Sequence, residues 1–245
     1  MSELLSAQPR GILLDIEGTT SSIHFVYDVM FPYVREHLTD FLAQSWESDA
    51  LQNTLPLLAA DRDTTVSAWL AGHSIDEQQR QVRLAVFEWM DADRKLTGLK
   101  QLQGLIWKSG FESGQIVAHL YPDVAPAITR WQDSGLDIRI YSSGSIASQK
   151  LFFGHSVDGN LLGCFSGHYD TTVGSKRESS SYRKIVADWN LPAAEILFVS
   201  DVPEELLAAR DAGLQTALSV RPGNHAVGFS HGFRAIHSFS ELLND

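Results

Sequence analysis

The sequence GILLDIEGT, residues 11–19, decides the fold of this chain of 245 residues. Its first four residues form a short apolar run, and the acid Asp15 and the turn-forming Gly18 follow soon after. This pattern predicts a buried parallel strand that ends in a loop. Asp15 and Glu17 are therefore expected at the carboxyl end of a strand, the edge where open α/β sheets bind their ligands.

The second half of the chain alternates between strands and helices. Apolar runs typical of strands lie at residues 137–143, 195–201 and 214–220. Amphipathic stretches typical of helices lie at residues 123–135, 145–154, 179–190 and 203–213. This alternation predicts the α/β fold class, with a doubly wound, Rossmann-like parallel sheet.

A long helical stretch interrupts the alternation after the first strand. Between residues 21 and 114 the apolar residues recur at helical intervals, as with Val82, Val86 and Met90, which indicates helices and not strands. Residues 21–114 are therefore predicted to form an all-helical cap domain, and residues 1–20 and 115–245 the core domain. Because the insertion leaves the core at the carboxyl end of the first strand, we expect it to act as a lid.

The overall composition limits the partners of the protein. Acidic residues outnumber basic ones by 30 to 19, giving a formal net charge of -11, which argues against nucleic acid and anionic membranes as partners. Cys164 is the only cysteine, so neither an intrachain disulfide nor a cysteine-based zinc site is expected. No apolar run approaches the roughly 18 residues of a membrane span. Together these features favour a cytoplasmic, monomeric protein that acts on a small molecule.

Asp15 and Glu17 are the candidate catalytic residues. A carboxylate at Asp15 can attack phosphorus and form an aspartyl-phosphate, which water then hydrolyses. Glu17, two residues further on, can pass a proton to the leaving oxygen. Because a phosphate dianion and a carboxylate repel each other, this chemistry needs a cation between them, and Mg2+ prefers such oxygen ligands.

Asp201 is a second acid at a predicted strand end and the candidate partner of Asp15 in holding the metal. The carboxyl ends of parallel strands meet at one edge of the sheet, so Asp15 and Asp201 can share one Mg2+ ion. An acid after a strand is also common in loops and as a helix cap. Only the pairing with Asp15 favours the metal-ligand interpretation.

Ser142, Ser143 and Lys176 are the candidate substrate-binding residues. The two serines follow a predicted strand and precede a helix, where hydroxyl and backbone N–H groups can cradle a phosphate. A serine helix cap is the competing interpretation. Lys176 can neutralise both the phosphate and Asp15. The pattern favours it only slightly over its neighbour Arg177.

These elements, in their order along the chain, resemble the motifs of the haloacid-dehalogenase-like phosphohydrolases. DIEGT resembles the nucleophile motif, YSSGS the second motif, Lys176 the third, and VSDVPEE the fourth. Ser200 and Glu205 depart from the glycine and aspartate common in that superfamily. The resemblance implies a doubly wound sheet with a helical cap inserted after its first strand.

A closer resemblance extends over nearly the whole chain. The segments DIEGTTSSI, LIWKSGFESGQI, QKLFFGHS and FSGHYDTTVGSK are similar to those of the enolase-phosphatases of the methionine salvage pathway. The resemblance implies a two-step conversion of 2,3-diketo-5-methylthiopentyl-1-phosphate, by enolisation and then phosphate removal, to the acireductone 1,2-dihydroxy-5-methylthiopent-1-en-3-one.

The same resemblance implies a role for each candidate residue. Asp15 is then the nucleophile, and one Mg2+ per chain has Asp15, the backbone carbonyl of Glu17 and Asp201 as its protein ligands. Ser142, Ser143 and Lys176 are implied to hold the substrate.

Two other functions compete with this one. A capped phosphatase of the same superfamily, acting on a sugar phosphate or a phosphoglycolate-like acid, would hydrolyse its substrate without enolisation. A phosphoacceptor module of the response-regulator type also uses strand-end acids, magnesium and a lysine. Such modules are near half this length and carry no inserted cap, which favours the enzyme.

Overall fold

A computed structural model of the chain describes residues 8–224 and 232–243. The chain forms two compact units, of which the first is Met1–Val26 with Val117–Asp245 and the second is Tyr27–Ile116. Across the two described ranges, every helix is too short or too polar to span a lipid bilayer.

The first unit is built on one six-stranded sheet. Its strands are β1 (Gly11–Leu14), β2 (Asp137–Tyr141), β3 (Gly167–Tyr169), β4 (Ile196–Ser200), β5 (Gln215–Ser219) and β6 (Arg234–Ile236). They lie in the order β3-β2-β1-β4-β5-β6, and every neighbouring pair is parallel. The order reverses between β1 and β4, so the predicted doubly wound α/β sheet is confirmed and its ligand-binding edge lies beside β1.

The α-helices of the described residues are, in chain order, α1 (Ile23–Phe25), α2 (Phe31–Ser45), α3 (Asp49–Gln52), α4 (Leu55–Ala60), α5 (Val66–Leu70), α6 (Ile75–Asp91), α7 (Thr97–Glu112), α8 (Val124–Asp133), α9 (Ile146–Gly154), α10 (Ser179–Trp189) and α11 (Pro203–Asp211). Short 3-10 turns lie at Leu162–Cys164, Ala193–Glu195 and Phe239–Glu241.

The central strands are apolar along their whole length because helices cover both faces of the sheet. All residues of β1 and β4 are buried. On one face, Leu13 and Phe198 pack in a cluster with Tyr182 of α10 and Leu206 of α11. Successive strand residues point to opposite faces, so Ile12 and Leu14, which are also fully buried, pack on the other face.

The two edge strands are the part of the sheet that the sequence does not predict. β3 and β6 have three residues each. Neither Gly167-His168-Tyr169 nor Arg234-Ala235-Ile236 forms an apolar run. Their backbone pairing with β2 and β5 defines them as strands, and pairing of this kind is not visible in local sequence.

The second unit is helical throughout, as residues 27–116 contain no strand. A π-helical segment, Val26–Met30, runs directly into α2, and Pro32 lies in the first turn after it. Helix α2 packs on α6 and α7, and α4 packs on α7. At Gly98 of α7 a Cβ atom would lie 2.5 Å from the backbone of Leu57 and Leu58 in α4, so glycine permits this close helix contact.

The helical unit begins six residues later than the predicted start of the cap at residue 21. The segment before Tyr27 belongs with the sheet because its side chains pack there. Ser21 Oγ lies 3.3 Å from His119 Nδ1, and the rings of Phe25 and Phe152 meet edge to face at 5.9 Å. The role of the helical unit as a cap stays a prediction.

Candidate active site

Asp15 lies immediately after β1 and is almost completely buried, with 3% of its surface exposed. Its backbone N–H continues the sheet by donating to the carbonyl of Val199 at 3.1 Å. Its Oδ1 accepts from the backbone N–H of Ile16 at 2.8 Å, and Oδ2 lies 3.4 Å from Ser200 Oγ. The carboxylate is therefore held in one orientation at the edge of the sheet.

Lys176 forms a buried ion pair with the carboxylate of Asp15. Its Nζ lies 2.6 Å from Asp15 Oδ1 and 2.7 Å from Glu205 Oε2. Burial opposes the charged form, but the two carboxylates outweigh that effect and raise the pKa of Lys176, so the side chain is an ammonium ion. The neighbouring Arg177 is exposed. The structure thus brings Lys176, and not Arg177, to Asp15, the predicted nucleophile.

Glu17 and Ser142 are joined by a hydrogen bond between side chains. Ser142 Oγ donates to Glu17 Oε2 at 3.1 Å. Ser142 Oγ also accepts from the backbone N–H of Gly144 at 3.2 Å. Burial and the nearby charge of Asp15 raise the pKa of Glu17, and Lys176 only partly offsets them. A carboxyl group with a raised pKa can carry a proton near neutral pH, as acid-base catalysis requires.

Asp201 lies directly against the turn that follows Asp15. Gly18 in this turn has φ of 72°, and a Cβ atom there would lie 2.2 Å from Asp201 Oδ2. Only glycine allows both this backbone conformation and this close approach. Burial and the charge of Asp15 raise the pKa of Asp201 to about 8. The structure therefore brings the two strand-end acids together, as the sequence predicts.

The charges of the site fit a bound divalent cation. The charge of Asp15 acts on the carboxyl groups of Glu17, Asp201 and Glu205, and Lys176 forms ion pairs with Asp15 and Glu205. Oxygen donors in excess of positive charge suit Mg2+. Within residues 8–224 and 232–243, no group of three His, Cys, Asp or Glu side chains has the arrangement of a metal site. The predicted ligand set is compatible with this, because it has two carboxylates and one backbone carbonyl.

The serine turn after β2 divides its tasks among three residues. Ser145 caps α9, since its Oγ accepts from the backbone N–H of Ser148 at 3.2 Å. Ser142 is fully buried and contacts Glu17, whereas Ser143 is exposed at the same turn. A helix-cap role was the competing interpretation for Ser142 and Ser143, and the structure gives that role to Ser145. Ser143 does not join the hydrogen-bonded cluster seen among the described side chains.

Two residues of the cluster had no role assigned from the sequence. Glu205, in the first turn of α11, accepts from Lys176 and from Ser200 Oγ at 2.9 Å. Ser200 lies between Glu205 and Asp15. The sequence signal is the position of Glu205 four residues after Asp201, which places both acids at the start of one helix.

Comparisons with known proteins agree with this geometry. A family model described as haloacid dehalogenase-like hydrolase matches residues 9–213. A relative from Stenotrophomonas maltophilia called Enolase-phosphatase E1 is 49% identical over 244 residues, covering 96% of this chain and 99% of its own. One of the same name from Danio rerio is 44% identical over 245 residues, covering 95% and 94%.

A solved structure has the same fold. The crystal structure of the UTR4 protein of Saccharomyces cerevisiae has a TM-score of 0.78 and 33% sequence identity, covering 96% of this chain and 100% of its own. The family match includes all the predicted site residues, from Asp15 to Asp201. The chain therefore belongs to the haloacid dehalogenase-like hydrolases and, within them, groups with the enolase-phosphatases.

Proposed function

We propose that this protein is a Mg2+-dependent enolase-phosphatase that converts 2,3-diketo-5-methylthiopentyl-1-phosphate to the acireductone and phosphate. The observation that carries the proposal is the buried contact of Lys176 with Asp15, beside the hydrogen bond between Ser142 and Glu17. Relatives at 44% and 49% identity that cover 95% and 96% of the chain bear the name of this activity. We also propose that the protein acts in the cytoplasm as a monomer.

Phosphoryl transfer follows from the order of the groups around Asp15. Asp15 Oδ2, the oxygen without the lysine contact, attacks the phosphorus atom and forms an acyl phosphate while the bond from phosphorus to the enol oxygen breaks. Glu17 gives its proton to that leaving oxygen. Glu17 then takes a proton from water, whose oxygen attacks phosphorus and releases inorganic phosphate from Asp15.

Three residues prepare this step without forming bonds to phosphorus. Lys176 neutralises the phosphate and holds Asp15 through Oδ1. The hydroxyl of Ser142 orients the carboxyl group of Glu17, and the exposed Ser143 at the same turn offers donors to the phosphate oxygens. Asp15, Asp201 and the Glu17 carbonyl would hold Mg2+, which would supply positive charge to offset the repulsion between carboxylates and phosphate.

In enolisation a base takes a proton from C1, and the C2 carbonyl oxygen gains negative charge and then a proton, so a positive group near that oxygen is needed. The ammonium of Lys176 is the group of this chain that can stabilise the developing negative charge in the site. The enol phosphate formed in this step has a more acidic leaving group than a simple alcohol, so the second step depends less on proton donation by Glu17.

The test is a two-signal assay on purified protein under anaerobic conditions. The diketo phosphate is supplied with and without Mg2+, and phosphate release and enediol absorbance are followed together, with Asp15→Asn as the inactive control. We expect both signals only with Mg2+ and Asp15 present. Phosphate release from sugar phosphates or phosphoglycolate, with no enediol signal from the diketo phosphate, would overturn the proposal and favour the other capped phosphatases.

A further inference from the structure

The loop that carries Lys176 is held by side-chain hydroxyls at three consecutive carbonyls. The carbonyls of residues 174, 175 and 176 accept, in that order, from Tyr141 Oη at 3.0 Å, Ser181 Oγ at 2.7 Å and Tyr182 Oη at 2.7 Å. The loop itself lies between β3 and α10 and has no regular secondary structure. We call Tyr141, Ser181 and Tyr182 the hydroxyl clamp.

The hydroxyl clamp is fully buried and belongs to rigid elements. Each of its three residues is 0% exposed. Tyr141 is the last residue of β2, and Ser181 and Tyr182 lie in the first turns of α10. The two tyrosine rings pack edge to face at 5.5 Å. The hydroxyl clamp therefore anchors the loop to β2 and α10.

The loop is shaped to fit against the clamp. Gly174 has φ of 147°, and a Cβ atom there would lie 2.3 Å from Ser181 Oγ. One residue earlier, the carbonyl of Val173 accepts from Lys184 Nζ at 2.8 Å. Four successive carbonyls are thus bonded to side chains, which fixes the backbone from which the side chain of Lys176 extends.

Lys176 needs this support because its own side chain is flexible. Lysine has a flexible four-carbon stem that ends in a point charge, yet Nζ contacts both Asp15 and Glu205 within 2.7 Å. The ring of Tyr141 also lies beneath Nζ, at 5.8 Å from its centre. A shift of the loop backbone would move Nζ away from both carboxylates.

We propose that the hydroxyl clamp positions Lys176 for catalysis. Tyr141, Ser181 and Tyr182 act through the loop backbone and are positioning residues, because their hydroxyls are bonded to carbonyls and not directed at substrate. The proposal deepens the proposed function and rests on it insofar as Lys176 binds the phosphate. According to this proposal, the three hydroxyls affect catalysis only by fixing where the ammonium group of Lys176 lies.

The test compares two single-atom deletions at buried tyrosines. Tyr182→Phe removes the hydroxyl bonded to the Lys176 carbonyl and keeps the ring. Tyr169→Phe is the matched control, since Tyr169 is also buried but its Oη donates to Asp188 at 2.7 Å. For each variant we measure the dissociation constant of orthovanadate with Mg2+, kcat and KM for the diketo phosphate, and the crystal structure.

We expect Tyr182→Phe to weaken orthovanadate binding and lower kcat/KM, each by about tenfold, in line with the cost of small misplacements in active sites. Its crystal structure should show Nζ displaced from Asp15 or spread over several positions. The control should stay within about twofold in both constants, because the Tyr169 hydroxyl is bonded to Arg139 and Asp188 and not to the carbonyls of the loop. A Tyr182→Phe variant that matches the control would overturn the proposal.

Two further outcomes are decisive. If Tyr182→Phe loses activity while Nζ keeps both carboxylate contacts, the hydroxyl acts elsewhere and the proposal is wrong. If Tyr182→Phe does not fold, Ser181→Ala takes its place. We expect the same losses in orthovanadate binding and kcat/KM from Ser181→Ala, and a Ser181→Ala variant that matches the control would overturn the proposal. A wild-type protein that binds orthovanadate but does not convert the diketo phosphate would refute the proposed substrate, and the vanadate comparison would still test the clamp.

Discussion

Replacing Asp123 by asparagine should destabilise the first unit by removing the anion from a mostly buried ion pair. The carboxylate of Asp123 accepts from Arg221 Nη1 at 3.0 Å and Nη2 at 2.9 Å, and from the backbone N–H of Phe239 at 2.7 Å. Arg221 also donates to the carbonyls of Thr19 and His237. One ion pair thus joins the turn that follows Asp15, the start of α8 and residues 237–239.

The magnitude follows from the burial of the two partners. The side chain of Arg221 is 2% exposed and that of Asp123 is 23% exposed. Breaking a fully buried pair costs about 3 to 5 kcal/mol, because the remaining charge is left without its partner. The cost should be smaller here because Asp123 is partly solvated and because asparagine keeps an oxygen that accepts from the backbone N–H of Phe239. We therefore expect Asp123→Asn to lower the free energy of unfolding by about 2 to 3 kcal/mol.

The dependence on pH gives this prediction a sign. Burial opposes the ionisation of Asp123, but the hydrogen bonds from Arg221 and Phe239 outweigh it and lower the pKa of Asp123 below its ordinary value. The stability difference between the wild type and Asp123→Asn is therefore complete above the pKa of Asp123 in the unfolded chain, about 4. It is lost as the pH falls through the lowered pKa of Asp123 in the folded protein.

The assay is urea unfolding at several pH values, in which fluorine NMR of fluorotryptophan-labelled protein monitors the transition. Trp131 reports on this region because its ring lies 5.3 Å from that of Phe239. Glu195→Gln, which breaks the exposed pair with Arg10, is the control and should cost less than about 1 kcal/mol. A loss below about 1 kcal/mol in Asp123→Asn, or a loss that persists unchanged at pH 3, would refute the reasoning.

Three further predictions concern the site. Gly18→Ala should lower Mg2+ affinity in calorimetric titration and cut kcat by about 100-fold, since the new Cβ meets Asp201; normal affinity would contradict the metal assignment. Lys176→Met should reduce kcat/KM by about 100-fold or more, whereas the exposed neighbour in Arg177→Met should change it less than about twofold; equal losses would contradict the assignment of Lys176. Asp201→Asn should raise the melting temperature of the Mg2+-free protein, because it removes a buried ionisable group that also lies near the charge of Asp15. Mg2+ should no longer stabilise the variant; unchanged melting behaviour in calorimetry would refute this.

Local sequence was sufficient for the elements that are long and apolar. β1 and β4 were predicted because burial of every residue makes them nearly continuous apolar runs. β2 and β5 were predicted from shorter apolar stretches, in which polar residues such as Arg139 and Thr216 are only partly buried. The short strands β3 and β6 were missed, since hydrogen bonds to a neighbouring strand, and not their composition, define them.

The site was predictable where function depends on a strand end and not where it depends on tertiary contact. Asp15 and Asp201 follow apolar runs, so their proximity could be inferred from sheet topology. The choice of Lys176 over Arg177 needed the loop conformation, which buries one side chain and exposes the other. The hydroxyl clamp was invisible because it pairs backbone carbonyls with residues of another strand and helix.

The central claim is that Asp15 is the nucleophile of a Mg2+-dependent phosphoryl transfer. The most direct measurement is to quench the reaction of the diketo phosphate with acid within the first turnover and to map phosphorylated peptides by mass spectrometry. We predict a phosphoryl group on Asp15 when Mg2+ is present and none when it is removed by EDTA. Turnover with the phosphoryl group on another residue, or with no phosphorylated peptide at any time point, would contradict the account.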